Sequence, residues 1–119
     1  MTKLSAFETA VLNGIGAGLP AERRKQFDSQ VARINRVQRL LDWREIEFYC
    51  MRWFRTAWPA EILFDGRDEE LLGSGVLRAE RMETSVKVWA VGGHVFSIES
   101  EAPLKPFNSA PAVSFTLAR

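Results

Sequence analysis

The chain carries 119 residues, 46% hydrophobic and 26% charged, with sixteen basic and fifteen acidic side chains and a net charge of +1. That length suits a single domain over residues 1–119 with one core, and the balanced charge lacks the basic excess that nucleic-acid binding calls for. The lone cysteine, Cys50, excludes an intrachain disulfide and a zinc site built on several thiolates, and His94 supplies one nitrogen ligand where a catalytic metal centre usually needs more. No metal and no cofactor is therefore expected.

After Lys3 there is no apolar run of the roughly 7–15 residues that a signal peptide requires, because Glu8 interrupts it. No stretch approaches the length of a bilayer span, so a cytoplasmic location without membrane contact is expected.

Leu4, Phe7, Val11 and Ile15 recur at steps of three and four, the period of a helix that Thr2 or Ser5 would cap. Gly14, Gly16 and Gly18 weaken that helix and end it before Leu19-Pro20. Pro20 suits the first turn of a second helix, and Glu22 sits near its positive end. Phe27, Val31, Ile34 and Leu41 extend its apolar stripe, which places Arg33, Arg36 and Arg39 on its outer surface.

The pattern changes at Asp42. Ile46, Phe48 and Cys50 alternate with Glu45, Glu47 and Tyr49, the two-residue period of a strand running from Trp43 towards Phe54. Arg55 to Pro59 reads as a connection, Ile62-Leu63-Phe64 as a short strand stopped at Asp65-Gly66, and Leu71 to Arg81 as a further strand.

Next comes a hairpin. Two apolar runs, Val86–Val91 and His94–Glu99, flank Gly92-Gly93, and a type I′ turn there needs positive φ at both central residues. A regular ladder from that turn pairs Val91 with His94, Trp89 with Phe96 and Lys87 with Ile98. Pro103, Pro106 and Pro111 then mark an irregular stretch, and Ala112–Leu117 alternates as a last strand. Helices first and short-linked strands after define an α+β fold: two N-terminal helices packed on an antiparallel sheet of four to five strands.

Candidate chemistry is sparse. His94 follows a tight turn, and strict alternation puts Glu99 on the opposite face from it, so no base–acid pair forms. Cys50 lies among apolar neighbours with no basic partner to activate it. Asp65, Asp68, Glu69 and Glu70 lack calcium-loop spacing, and the glycines at 14, 16 and 18 end a helix instead of following a strand, so neither cluster forms a known ligand motif.

The aromatic residues stand out. Trp43, Trp53, Trp58 and Trp89 lie in one short chain, and Tyr49, Met51 and Trp53 fall on the strand face opposite Phe48 and Cys50. If both helices cover the other face, Tyr49, Met51, Trp53 and Trp58 are the candidate protein-binding residues.

The segment Gly93-His94-Val95-Phe96-Ser97-Ile98-Glu99, with Pro103 after it, resembles one found in small uncharacterised bacterial proteins, some of them similar to immunity proteins that neutralise a cognate toxin. The resemblance implies a binding role and carries no catalytic motif. The leading expectation is a non-enzymatic module that binds another protein, in the manner of an immunity or antitoxin factor. Two alternatives stand beside it: a small-ligand-binding or enzymatic domain with a pocket lined by Tyr49, Trp89 and Phe96, and a homo-oligomer that buries the second sheet face against a copy.

Overall fold

The computed structural model describes residues 3–66 and 68–118. Helix α1 spans Ala6–Ala17 and α2 spans Ala21–Arg33. Strands β1 (Arg36–Leu40), β2 (Glu45–Tyr49), β5 (Glu70–Ala79), β6 (Met82–Val91), β7 (His94–Ser100) and β8 (Ser114–Leu117) form one sheet in the order β1-β2-β7-β6-β5-β8, every neighbouring pair antiparallel. A separate two-stranded hairpin joins β3 (Met51–Arg52) to β4 (Arg55–Thr56). The class is α+β, with six strands in the main sheet where four to five were expected.

Ser5 caps α1 through a capping box: its backbone N–H donates to Glu8 Oε1 at 2.7 Å and its hydroxyl accepts from the Glu8 N–H at 3.4 Å. The same Glu8 carboxylate, fully buried, receives Arg39 from β1 at 2.8 and 2.9 Å. Removing either partner would strand a buried charge, so this pair ties the start of α1 to the sheet edge.

Residues 36–40 form a strand, not the end of α2; Arg36 and Arg39 belong to β1, and only Arg33 remains helical. Helical periodicity continues through this segment, but pairing with β2 overrides it. Val37 sits opposite Phe48 and Arg39 opposite Ile46, which turns Val37 and Arg39 inward.

Phe7, Val11, Ile15 and Phe27 from the helices meet Ile46, Phe48, Val86, Val88, Val95 and Ile98 from the sheet, all buried. Val31 and Ile34 lie half-buried at the margin of that core. Phe115 of β8 wedges between α1 and β5, where a Cβ on Gly14 would stand 2.2 Å from its ring and one on Gly75 2.4 Å. Gly14 is therefore a close-approach site and not merely a weak helix position.

Gln30 of α2 is fully buried and holds the chain beyond β4 against the β6–β7 turn. Its Nε2 donates to the carbonyls of Ile62 at 2.7 Å and Gly93 at 3.1 Å, and its Oε1 accepts the Val95 N–H at 2.8 Å. Residues 62–64 are consequently not a strand. A short 3-10 turn covers Ala60–Ile62, and Phe64 N donates to Gly93 O at 2.7 Å.

The Gly92-Gly93 turn forms as expected, with φ of 64° and 87°, and Val91 pairs with His94. Beyond it the register differs. Ala90 opposes Val95 but Trp89 opposes Ser97, leaving Phe96 as the extra residue of a β-bulge. Trp89 and Phe96 are therefore not cross-strand partners. The shift of one residue moves Ile98 opposite Val88, into the core, and brings Glu99 to the outer face together with His94.

Candidate interaction surface

Both helices pack on one side of the sheet, so the other side is open. Its floor around β2, β7 and β6 carries Glu45, Glu47 and Tyr49, then Phe96, Ser97 and Glu99, then Lys87 and Trp89. The Tyr49 hydroxyl donates to Glu47, and its ring meets Phe96 edge-on at 5.9 Å. Burial, followed by the hydrogen bond to Glu47, pushes the Tyr49 phenol up to about 12. Trp89 Nε1 donates to Glu99 Oε1 at 3.0 Å.

Three carboxylates thus converge on adjacent strands. A hydrogen bond to Glu47, then burial, then the charges of Glu47 and Glu99 raise the Glu45 carboxyl above its ordinary value. Glu45, Glu69 and Glu99 rim a hollow of about 180 Å³ whose walls include Trp89 and Phe96. Tyr49 lies beside this hollow, against Phe96, and is not part of its lining.

The hairpin β3–β4 projects at the end of β2. Asn35 holds its base by accepting the Met51 N–H at 2.8 Å and donating to the Met51 carbonyl at 2.9 Å. At its tip Trp53 and Phe54 are 81% and 99% exposed, with φ of 54° and 69°. Both central residues of this two-residue turn are thus left-handed, the conformation that Gly92-Gly93 adopts in the other hairpin.

Of the four candidate residues, Tyr49 stands on the open sheet face, while Met51 and Trp53 belong to the hairpin. Trp58 lies just beyond, half-buried and stacked on His94 at 4.5 Å. Its indole Nε1 is buried without a hydrogen-bond partner among the described residues. Tyr49 and Met51 share a hollow of about 350 Å³ with Arg36, Gln38, Phe54, Arg55 and Thr56, so the hairpin borders the open face. Met51 and Trp58 share another, about 550 Å³, with Arg33, Asn35 and Arg52 among its walls. Arg33, Arg36, Arg52 and Arg55 surround the hairpin, and none has a carboxylate in salt-bridge range among the described residues.

Reading the sequence as one long strand from Trp43 hid the turn at Trp53-Phe54 and the flanking Arg52 and Arg55, while Arg36 was read as helical. The Trp-Phe pair flanked by Arg52 and Arg55 carries no glycine or asparagine to announce a turn.

Cys50 is buried, its Sγ donating to the Ala57 carbonyl at 3.4 Å. His94 bonds the Val95 carbonyl through Nδ1 at 2.9 Å, and burial lowers its pKa despite that bond. Among the described residues no group of three or more His, Cys, Asp or Glu side chains is arranged to hold a metal. No helix among them is long and apolar enough to cross a membrane. Comparison with protein-family models, curated proteins and solved structures finds no match to this chain.

Proposed function

We propose that this protein acts by contact, as a non-enzymatic protein-binding module whose docking surface is the β3–β4 hairpin with the adjoining open sheet face. The observation that carries the reading is the hairpin tip. A left-handed backbone costs a non-glycine residue about 1–2 kcal/mol, and Trp53 and Phe54 adopt it while almost fully exposed.

Another segment of the chain supplies the contrast. Leu41, Asp42 and Trp43 are also left-handed, with φ of 53°, 59° and 68°. There the Trp43 ring stacks on Phe7 at 6.2 Å and lies under the Arg39 guanidinium at 4.7 Å, so at Trp43, though not at the exposed Leu41, intrachain packing offsets the strain. Trp53 and Phe54 have no comparable packing among the described residues, and aromatic side chains with arginines beside them are the usual anchors of protein interfaces. Neutralising a partner by covering it, as an immunity-type protein does, is one activity such a surface would serve.

The test is capture of the product of the gene adjacent to this protein's own, using wild type and Trp53→Glu, with thermal unfolding of each. The expected result is a folded variant that no longer binds. Folded variants at Tyr49, Met51, Trp53 and Trp58 that all bind like wild type would overturn the reading.

A further inference from the structure

We infer that the hairpin's partner is a second copy of this chain, docked about a two-fold axis with each hairpin on the other's open face. The inference rests on the contact reading above and names the occupant of that same surface.

The argument is one of complementarity along a single strip. One end, at Glu45, Glu47 and Glu99, is acidic and opens into the hollow walled by Trp89 and Phe96. The other end, about 13 Å along β2 at the usual strand rise, passes Tyr49 and becomes the hairpin, with Arg52 and Arg55 flanking Trp53 and Phe54. The two ends border one face, since Tyr49 and Arg36 share a hollow with Phe54 and Arg55.

Inverting such a strip on itself sets each basic, aromatic end against an acidic end with aromatic walls. That is the self-complementary arrangement a two-fold contact requires. The exposed rings of Trp53 and Phe54 then lie against Trp89 and Phe96, while Arg52 and Arg55 approach the carboxylates that crowd one another in the single chain. An interface of ordinary size buries about 800 Å² per partner, a small share of the 7226 Å² that one copy exposes.

Sedimentation velocity of the purified protein from low micromolar to high micromolar concentration provides the test. Two charge-reversed variants accompany it, Arg52→Glu/Arg55→Glu on the hairpin and Glu45→Lys/Glu99→Lys on the face. Wild type is expected to dimerise. Each variant alone should associate about a hundredfold more weakly, because like charges then meet at both copies of the contact. An equimolar mixture of the two should recover the dimer, because every contact in the mixed pair is again of opposite sign. Raising ionic strength from about 0.1 M to about 1 M, which shortens the Debye length from about 10 Å to about 3 Å, should weaken the wild-type dimer.

Circular dichroism checks that each variant is folded, and the mixture carries the decision, since misfolded variants would not rescue one another. A wild-type monomer at every concentration, a dimer indifferent to both reversals, or a mixture without rescue overturns the pairing. Capture of the neighbouring gene product by the same monomeric protein would show that the hairpin reading survives while the second-copy inference does not.

Discussion

Replacing Trp53-Phe54 with Asn-Gly separates what the hairpin tip does for the fold from what it does for binding. Asparagine and glycine are the preferred residues of a type I′ turn, and the native φ values of 54° and 69° lie in the region they tolerate. Relieving left-handed strain returns about 1–2 kcal/mol at each position. Glycine gives back about 0.5–1 kcal/mol of that through the greater freedom of the unfolded chain. Because the two aromatic side chains are 81% and 99% exposed, little packing is lost. The variant should therefore be about 1–3.5 kcal/mol more stable than wild type, read as a higher urea midpoint with an unchanged slope. Binding should disappear at the same time. A variant less stable than wild type would show that Trp53 or Phe54 supports the fold, and strain could then no longer be used to argue for a function.

Three further outcomes follow from the packing. Phe27→Ala should cost about 3–5 kcal/mol, since the ring is fully buried between helix and sheet; a loss below about 1 kcal/mol would place it outside the core. Gln30→Ala should cost about 2–6 kcal/mol in chemical denaturation, because the Val95 N–H and the Ile62 carbonyl lose a buried partner at about 1–3 kcal/mol each; near-neutrality would mean water replaces the side chain. For His94, burial holds the folded pKa below the ordinary value near 6.5, so the unfolded chain takes up its proton first as pH falls. Its contribution is intact above that value, declines as pH drops through it, and levels off below the lowered folded pKa. His94→Gln should flatten the pH dependence of stability in that window, and identical slopes for variant and wild type would remove histidine from the account.

Local patterns exposed the helices and most of the strands, because steps of three and four in Phe7, Val11 and Ile15 and alternation in Ile46 and Phe48 record which side chains are buried. What they concealed was set by partners distant in sequence. Residues 36–40 keep a helical arrangement of apolar and basic side chains, and only the Glu8–Arg39 pair and the β2 ladder make them a strand. The bulge at Phe96 is equally silent, since Val95-Phe96-Ser97 alternates well enough to suggest an unbroken ladder. For the candidate surface, Tyr49, Met51, Trp53 and Trp58 were legible as aromatic or interface-type residues. Their division between an open face, a projecting hairpin and a stack on His94 was not, because the Trp-Phe turn departs from ordinary turn chemistry.

The wedge of Phe115 between Gly14 and Gly75 bears on how the chain reaches this state. Strand β8 pairs with β5 at the edge of the sheet and packs on α1, so a helix near one end of the described chain is completed by a strand near the other. Contacts of such sequence separation raise contact order and slow folding. During synthesis α1 emerges before β5 and β8, and its Gly14 side has no seat until both have left the ribosome. One side of α1 and an edge of β5 then wait uncovered, and the interval before β8 arrives is when a nascent chain of this kind is most open to misassociation.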